Sequence, residues 1–437
     1  MLMIILIIGS GGREHALIWL LAKDSRIIEI WCAPGNAGIA KERLQNGNLV
    51  KCIDIKTTDL SRLADFATEK KVHLTVVGPD KPIGLGIATF FRFRKLRIFA
   101  PEAALFESSK IFTHAFNSTH GIPQPKGQNF DLDRLREAEA FANSLTSGSV
   151  IKADGLFDGK GVVLCKTSIE AHSAIERMLV RDEFGPAGRH ILIQNRLTGC
   201  EVSAHALCDG KNYKMFPLSQ DNKGDGKGNM TGGMGATMRT TPLGGNDAMR
   251  IENEIIKPWH NACLEEGIVY KGLFYPGIML TDDGFHLQNY RRFGPKVLEY
   301  NARFGDPETQ VYMPMLNCNL LDLLDACVEG TLDKVDLKWK YGVAVCVVMA
   351  SNGYPDSLTA GEPIFGIEQA DAVPDTKVFH AGTALKDGQI VTNGGRVLGV
   401  TSWGVDLFEA KSKAYQAVGK IHCQALWYRK DIGIYAP

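Results

Sequence analysis

The first hundred residues alternate short apolar strands with helical segments, and this order restricts the possible folds more than any other feature of the chain. Strand patterns at 4–9, 29–35 and 74–80 are separated by helical patterns at 13–24 and 59–71. Such alternation predicts a parallel α/β sheet with helices on both faces. Ligands bind these sheets at the carboxyl ends of the strands. The turns at those ends, which are candidate binding sites, are 9–12, 34–38 and 78–80.

The first turn, Gly9-Ser10-Gly11-Gly12, partly matches the dinucleotide-binding fingerprint. Glu14 replaces the third glycine, and no acidic residue follows the next strand at the expected place. A nicotinamide cofactor is therefore disfavoured. A helix N-terminus that binds an anion and a tight turn that requires glycine both remain compatible with these residues.

Length and charge limit the class of protein. At 437 residues the chain exceeds one hydrophobic core, so we expect three or four domains. The 49 basic residues balance 49 acidic ones, which argues against a nucleic-acid or anionic membrane surface but not against a local phosphate site.

The ten cysteines form no CxxC pair or zinc-finger spacing, which indicates reduced thiols in a cytoplasmic protein. The apolar N-terminus is too short to span a bilayer and lacks a basic leader.

The rest of the chain shows two further changes of pattern. Proline and turn residues near Pro101 and at 121–127 predict domain boundaries, and from Lys338 onward short strands and turns predict a separate α+β domain. The predicted elements after Pro101 are helices at 106–120, 131–145, 168–181 and 409–428, and strands at 149–154, 162–166, 190–197 and 341–351.

Two glycine-rich stretches are candidate ligand loops. The loop at 155–161 lies between two predicted strands and carries Lys160, but its spacing is not that of a Walker P-loop. It suits either a flexible cover over phosphates or a hairpin with a solvated lysine. The stretch 226–237 is either a mobile surface loop or a loop around a ligand, and Met230 and Met234 favour burial.

The stretch 296–310, KVLEYNARFGDPETQ, concentrates polar residues at the end of a predicted strand. Alternation places Glu299 and Asn301 on one face, and a carboxylate beside an amide oxygen suits Mg²⁺ that also binds phosphate and water. Arg303 suits a two-pronged contact with a carboxylate or phosphate. Asp306 and Glu308 suit an amine. The alternative is a surface salt-bridge network around a turn.

Ten segments together resemble the glycinamide ribonucleotide synthetase family of ATP-grasp ligases, across essentially the whole chain. The stretch RFGDPE is the most specific, whereas each glycine turn alone is weak. The segments, in order, are GGREHA, APGNAG, VGPD, SKIFTHAF, IKADGLFDGKGV, TGGMGA, EYNARFGDPETQ, KVFHAGT, VTNGGRVLGVT and RKDIG.

The resemblance implies an α/β fold with three parts. These are an N-terminal parallel α/β domain on the sugar-phosphate side, a central ATP-grasp core with a mobile lid subdomain, and a C-terminal α+β domain. The expected boundaries are 1–100 for the first, 101–123 and 189–330 for the core, 124–188 for the lid and 331–437 for the last.

The resemblance also implies a reaction in two stages, the second step of purine biosynthesis. ATP phosphorylates glycine, and the amine of 5-phosphoribosylamine then attacks glycyl phosphate. The expected cofactors are ATP and Mg²⁺, with Mn²⁺ as an alternative, and the expected protein is cytoplasmic and a monomer or weak homodimer, without nucleic-acid or membrane partners. The implied residues are Glu299 and Asn301 for metal; Lys110, Lys152, Gly155, Gly159, Lys160, Gly161, Gln194, Leu197 and Glu201 for ATP; Gly11, Gly12, Asn36 and Asp80 for sugar phosphate; and Arg303, Asp306 and Glu308 for catalysis.

Several positions differ from the family pattern. Gln194-Asn195-Arg196 replaces two glutamates and an aromatic residue at the expected adenine contact, and Asp80 replaces a glutamate. The glycine-rich stretch reads GNMTGG rather than GPNTGG, its preceding segment is shortened, and an insertion lies near 283–294. The alternatives are therefore an ATP-grasp ligase for another amino acid or amine, and a nucleotide-binding homologue with weak catalysis.

Overall fold

The structure is a computed structural model that describes residues 2–157, 161–227, 229–240, 247–287 and 290–434, with side chains except at 187, 282–287 and 290–293. The elements of the first third are β1 Met3–Gly9, α1 Gly12–Leu21, β2 Ile27–Pro34, β3 Lys51–Cys52, α2 Leu60–Glu69, β4 Leu74–Val77, α3 Asp80–Gly84, α4 Ile87–Phe93, β5 Ile98–Phe99, α5 Leu105–Ser108, α6 Lys110–Thr119, β6 Gly127–Asp131 and α7 Leu135–Ser144.

The later elements follow in chain order. Those of the middle third are β7 Ser149–Ala153, β8 Val162–Cys165, α8 Ser168–Ile175, β9 His190–Asn195, β10 Cys200–Ser203, β11 Ala206–Asp209, β12 Tyr213–Met215, β13 Ser219–Lys223, β14 Gly233–Arg239, α9 Asp247–Ile251, α10 Lys257–Glu265, β15 Lys271–Leu287 and β16 Tyr290–Asn301. The last are α11 Glu308–Met315, α12 Leu320–Glu329, β17 Val343–Ser351, α13 Ile367–Asp371, β18 Thr376–His380, β19 Thr383–Lys386, β20 Gln389–Thr392, β21 Arg396–Gly404, α14 Leu407–Val418 and β22 Leu426–Tyr428.

The N-terminal sheet confirms the predicted parallel α/β layer. Its strand order is β3-β2-β1-β4-β5, and the paired strands all run parallel. The central strand β1 is buried from Ile5 to Ile8, as a strand covered by helices on both faces must be. The turns after β1, β2 and β4 therefore meet at one edge of the sheet.

A second, four-stranded antiparallel sheet has the order β6-β9-β7-β8. Helices α7 and α8 cover one face of it and enclose a separate hydrophobic cluster that includes Phe130, Ile151 and Ile191. The predicted strands around the glycine-rich loop are confirmed, since β7 and β8 form an antiparallel hairpin.

The third sheet runs through the middle and the C-terminal part of the chain. Its main order is β12-β11-β15-β10-β13-β14-β17-β21-β18, with β16 paired to β15 and β22 to β17. Strand β17 pairs with β14 over five residue pairs, Gly235 to Arg239 against Val343 to Val347. The change of sequence pattern near Lys338 therefore marks no break in the hydrogen-bonded sheet.

Three predicted helices differ from the observed elements. The helix predicted at 106–120 is broken at Ser109, whose side chain accepts a hydrogen bond from the backbone N–H of Phe112 and so begins α6. The helix predicted at 168–181 becomes a π-helical turn after Ile175. The helix predicted at 409–428 ends at Val418, because residues 426–428 pair as β22 with β17.

The glycine-rich stretch 226–237 is only partly a loop. From Gly233 it forms β14, where Met234 is fully buried, as its apolar character predicted. Met230 is half exposed, so that part of the expectation was wrong. Across the described ranges, no helix combines the length and the apolarity needed to cross a bilayer.

Candidate active site

The strand β16 carries the predicted metal ligands past an irregularity in its pairing with β15. Glu299 lies opposite Gly277, whereas Ile278 lies opposite Val297, so Leu298 is left without a partner in the ladder. The carbonyl oxygen of Leu298 instead accepts a hydrogen bond from Lys152 Nζ at 2.7 Å. The irregularity thus connects the small antiparallel sheet to the end of β16.

Three lysines surround the Glu299 carboxylate. Lys223 Nζ lies 3.3 Å from Glu299 Oε1 and 2.8 Å from Glu201 Oε1. Lys223 is the largest influence that lowers the pKa of Glu299 to about 2, and Lys152 and Lys110 act in the same direction. Burial lowers the pKa of Lys152 to about 8. Burial likewise lowers the pKa of Lys110, whose Nζ donates to the carbonyl oxygen of Gly155 at 2.6 Å.

The donor atoms near Glu299 fit Mg²⁺ with an incomplete protein shell. Asn301 Oδ1 accepts from Arg303 Nη2 at 3.0 Å, and Asn301 Nδ2 donates to the carbonyl oxygen of Tyr275 at 3.3 Å. The ammonium of Lys223 between two carboxylates shows that this place attracts a cation. Among the described residues no three His, Cys, Asp or Glu side chains form a metal cage. A hard cation here would complete its shell with phosphate and water oxygens.

The glycine-rich loop after β7 is described only at its two ends. Gly159 and Lys160 lie outside the described residues, as do Gln288 and Asn289 of the insertion near 283–294. Gly161 accepts a backbone hydrogen bond from Ala153 at 2.8 Å, which closes the base of the loop. Asp154 holds the other end, because its carboxylate accepts from Ser109 Oγ at 3.0 Å.

The predicted adenine contact lies at the end of β9. Gln194 Nε2 lies 3.2 Å from His114 Nδ1, and the backbone N–H of Asn195 donates to the carbonyl oxygen of Lys126. Within the part of the chain that the structure describes, the side-chain oxygens Gln194 Oε1 and Asn195 Oδ1 are both buried without a hydrogen-bond partner. Buried acceptors of this kind are costly unless a ligand satisfies them. Leu197 is half-buried just beyond this strand.

Arg303 lies at the centre of the turn that follows β16. Its Nε lies 3.6 Å from Glu107 Oε1, and its Nη2 reaches Asn301. The second oxygen of Glu107 accepts a short hydrogen bond from the backbone N–H of Ala302. Although burial opposes it, Glu107 and then Asp80 raise the pKa of Arg303 above its usual value. The influence of Asp80 on this pKa indicates that its carboxylate lies near the same turn.

Asp306 joins three parts of the molecule. Its Oδ1 accepts from Gln310 Nε2 at 2.7 Å, and its Oδ2 lies 3.3 Å from Arg396 Nη2. Arg396 Nη1 donates to the backbone oxygen of Asp306 at 2.6 Å and to that of Gly233 at 3.2 Å. A Cβ atom on Gly11 would lie 3.3 Å from Asp306 Oδ2. The predicted sugar-phosphate turn and the predicted catalytic turn are thus in contact.

Glu308 is placed differently from Asp306. It begins α11, is 1% exposed, and its Oε1 accepts from Ser203 Oγ at 2.9 Å and from the hydroxyl of Tyr275. His205 stacks on Tyr275 with ring centroids 4.1 Å apart, which supports that hydroxyl. Glu308 therefore belongs to a buried hydrogen-bond network beneath the turn.

The N-terminal turn is occupied by the side chain of Glu14. Glu14 Oε2 accepts from the backbone N–H of Gly11 at 2.6 Å, so the first turn of α1 already has an anionic cap. A Cβ atom on Gly9 or Gly78 would overlap Glu14, at 2.5 Å and 1.8 Å from its side-chain atoms. Glycine is thus required here by a close approach. Gly12 lies beside Gln310, where a Cβ atom would be 2.5 Å from Nε2.

Asn36 fixes the second turn by using both ends of its amide. Nδ2 donates to the backbone oxygens of Ser10 and His380 at 2.8 and 2.9 Å, while Oδ1 accepts from the N–H groups of Gly38 and Ile39. Asn36 therefore links the N-terminal sheet to the C-terminal part of the chain.

Sequence reasoning did not identify several residues that shape the site. Lys223 and Arg396 lie on β13 and the start of β21, far along the chain from 296–310, and only the pairing of the sheet brings them there. Glu14 could have been found from its place three residues after Gly11, which is the capping-box position. These residues include Glu14, Glu107, Ser203, His205, Lys223, Tyr275, Gln310 and Arg396.

Three models of one protein family match the chain in succession. The phosphoribosylglycinamide synthetase N domain matches residues 3–107, the ATP-grasp (A) domain 108–309 and the C domain 344–435. A phosphoribosylamine–glycine ligase from Pseudomonas aeruginosa is 44% identical over 436 residues, which cover 98% of this chain and 97% of the relative. One from Caldanaerobacter subterraneus subsp. tengcongensis is 40% identical over 433 residues, covering 98% and 99%.

Two solved structures resemble the chain over nearly its whole length. The crystal structure of phosphoribosylamine–glycine ligase from Thermotoga maritima superposes with a TM-score of 0.78 and 30% identity, covering 98% of this chain and 99% of that one. The biotin carboxylase domain of Hydrogenobacter thermophilus 2-oxoglutarate carboxylase, in complex with MgADP, has a TM-score of 0.72 at 13% identity, covering 98% and 92%. This second likeness shows the shared fold alone.

Proposed function

This chain belongs to the phosphoribosylglycinamide synthetase family, and from that premise we propose that it is a phosphoribosylamine–glycine ligase that acts through glycyl phosphate. The enzyme joins glycine to 5-phosphoribosylamine with ATP and forms glycinamide ribonucleotide, a step of purine biosynthesis. The observation that carries the proposal is the group of three ammonium ions near the end of β16. Lys223 lies 3.3 Å from Glu299, Lys152 donates to the neighbouring Leu298 oxygen, and Lys110 donates to the oxygen of Gly155.

The proposed reaction has two balanced stages. A carboxylate oxygen of glycine attacks the γ-phosphorus of ATP, which forms glycyl phosphate and releases ADP. The amine nitrogen of 5-phosphoribosylamine then attacks the acyl carbon, the bond from that carbon to the phosphate oxygen breaks, and inorganic phosphate leaves. The amine loses one proton to solvent. No covalent bond to the protein forms, so positioning and charge stabilisation account for the catalysis.

On the nucleotide side, the lysines would neutralise the triphosphate. Lys110 and Lys152 each donate to a backbone oxygen rather than to a carboxylate, so their charges remain available to phosphate oxygens. Gly155, Gly159, Lys160 and Gly161 would cover the phosphates and exclude water from the acyl phosphate. The unsatisfied oxygen of Gln194 would accept from the adenine amino group, with Leu197 and Glu201 beside the base and ribose.

Glu299 and Asn301 would hold Mg²⁺, which when bound neutralises charge on the phosphates during transfer. ATP-grasp enzymes generally use ATP with Mg²⁺, and the MgADP complex named above has this fold. We also propose that Mn²⁺ can replace Mg²⁺, because it accepts the same oxygen ligands.

On the substrate side, Arg303 would orient the glycine carboxylate toward the γ-phosphate. Gly11, Gly12, Asn36 and Asp80 would form the sugar-phosphate site. Because the N–H of Gly11 already donates to Glu14, Gly11 would act by allowing a close approach, and Asn36 would act through the backbone it fixes. Asp306, held by Arg396, lies against the Gly11–Gly12 turn and would receive the attacking amine. Glu308 would contribute from the buried network below.

The remaining parts of the proposal concern organisation in the cell. We propose the domain boundaries 1–100, 101–123 with 189–330, 124–188 and 331–437, with the third unit as a mobile lid. We also propose a cytoplasmic enzyme that acts as a monomer or weak homodimer without nucleic-acid or membrane partners. Sedimentation velocity across a range of protein concentrations tests the assembly state.

The experiment that tests the function measures product and phosphate together. Purified protein would receive Mg²⁺, ATP, glycine and 5-phosphoribosylamine generated in the cuvette, with each substrate omitted in turn. We expect no glycinamide ribonucleotide when any one substrate is omitted. The product, identified by mass spectrometry, should form only in the complete mixture. Phosphate release without glycine, or product from another amino acid at equal rate, would contradict the proposal.

A further inference from the structure

One buried carboxylate oxygen near the active site has no hydrogen-bond partner among the described residues. Asp221 lies on β13, and its Oδ1 is buried and accepts no hydrogen bond. An unpaired buried carboxylate oxygen costs free energy that an incoming cation recovers. None of the roles proposed above uses this group.

The surroundings of Asp221 place it between the nucleotide side and the catalytic turn. Lys223, two residues along the same strand and beyond an irregularity in its pairing with β14, reaches Glu299. A Cβ atom on Gly233 would lie 2.3 Å from Asp221 Oδ1 and 2.4 Å from Pro307 Cδ, so the carboxylate packs over a glycine beside the catalytic turn. Burial, and then the neighbouring Glu308, raise the pKa of Asp221 well above its usual value.

We propose that Asp221 binds the ammonium group of glycine and thereby selects an amino acid over an uncharged carboxylic acid. This inference rests on the proposed function, because it assigns a contact to one of its substrates. In glycine one carbon separates the ammonium group from the carboxylate. An acceptor for the ammonium group must therefore lie close to Arg303, which we propose orients the carboxylate. Asp221 and Pro307, a residue of the same turn as Arg303, both pack against Gly233.

The nearby charges support a cationic partner at this oxygen. Arg396 directs its guanidinium to the carbonyl oxygen of Gly233 and to Asp306 rather than into a hydrogen bond with Asp221 Oδ1. Lys223 is shared between Glu201 and Glu299. Both cations are therefore committed elsewhere, and the second carboxylate, Glu308, is satisfied on Oε1 by Ser203 and Tyr275.

The test compares glycine with glycolate, in which a hydroxyl group replaces the ammonium group. Calorimetric titration of the wild-type protein with a non-hydrolysable ATP analogue and Mg²⁺ should show glycine binding at least about tenfold more tightly than glycolate. In Asp221→Asn that preference should largely disappear. Asp182→Asn, the same change at an exposed ion pair with Arg189, is the matched control and should keep it.

Steady-state kinetics gives the second readout. Asp221→Asn should raise the KM for glycine about 10- to 100-fold while leaving the KM for ATP and for 5-phosphoribosylamine within about threefold. Equal binding of glycine and glycolate by the wild type, or an unchanged KM for glycine in the variant, would overturn the inference. Absence of glycinamide ribonucleotide with the wild type would instead overturn the proposed function, and the binding comparison, which needs no turnover, would still decide the role of Asp221.

Discussion

The two sides of the candidate active site handle charge in different ways. On the nucleotide side, the lysines at 110, 152 and 223 lie near the carboxylates of Glu201 and Glu299, and Lys110 and Lys152 donate to backbone oxygens rather than to a carboxylate. On the substrate side, Asp306 is already matched by Arg396 and Gln310. The lysines of the first arrangement attract a polyanion, whereas the contacts of the second hold Asp306 in position before any substrate binds. Substitutions should therefore affect nucleotide binding on one side and substrate alignment on the other.

The largest effect is expected on the nucleotide side from Glu299→Gln. The variant loses the carboxylate on which three lysines converge and the charge that a divalent cation requires. We expect turnover to fall by about 10²-fold or more, by analogy with the loss of a key charge-stabilising group. Phosphate release would be measured at saturating substrates.

Glu183→Gln, the same change in an exposed ion pair with Arg177, is the control and should keep wild-type turnover. If Glu299→Gln retained more than about a tenth of the wild-type rate, the group formed by Glu299 and the three lysines would not be required for catalysis.

Arg396→Lys is the corresponding change on the substrate side. Lysine keeps the charge but cannot contact Asp306 and the carbonyl oxygen of Gly233 at once, as the guanidinium does. We expect kcat/KM for 5-phosphoribosylamine to fall about 10- to 100-fold, a loss of roughly 1.4–2.8 kcal/mol. The KM for ATP should stay near its wild-type value, and an equal loss in both would remove the distinction between the two sides.

The pH dependence of ATP binding should reveal the charge of Lys152 on the nucleotide side. Only the protonated Lys152 attracts phosphate, and burial lowers its pKa to about 8 in the free protein. Affinity for ATP should therefore be constant below pH 8 and weaken as the pH rises above it, by up to about tenfold per unit. Equilibrium binding between pH 7 and 9.5 would show this.

Lys152→Arg is the matched variant, because arginine stays charged throughout this range. In this variant the affinity for ATP should change less with pH than in the wild type. A wild-type affinity that does not change up to pH 9.5 would contradict the assignment of Lys152 to the phosphates.

The smallest effect is expected from Tyr275→Phe in the buried network. Glu308 would lose one of the two donors on Oε1 and keep Ser203. We expect the free energy of unfolding to fall by about 1–3 kcal/mol, measured by urea denaturation, with kcat changed less than about threefold. A large change in the KM for glycine at unchanged stability would show that Glu308 acts on substrate directly.

The fold was predictable where its signals are local. Alternating apolar strands and helices predicted the N-terminal parallel sheet, and strand alternation placed Glu299 and Asn301 together. The helix predicted at 409–428 was wrong beyond Val418, because the pairing of residues 426–428 with β17 overrides local helical preference. A local sequence pattern does not predict pairing between strands that lie so far apart in the chain.

The same distinction holds for the site. Residues within 296–310 were predicted because one stretch carries them all. Lys223 and Arg396 were not, since each reaches the site only through the order of the large sheet. Asp221 was missed for the same reason. Its oxygen is buried without a hydrogen-bond partner among the described residues only because the folded chain packs it against Gly233.

The most direct test of the account follows one oxygen atom. Glycine labelled with ¹⁸O in its carboxylate would be converted with ATP and 5-phosphoribosylamine, and the released phosphate analysed by mass spectrometry. Transfer of one ¹⁸O atom to each phosphate is predicted, because the carboxylate oxygen bridges to phosphorus in glycyl phosphate and leaves with it. Phosphate without ¹⁸O would show that the carboxylate is never phosphorylated and would contradict the account.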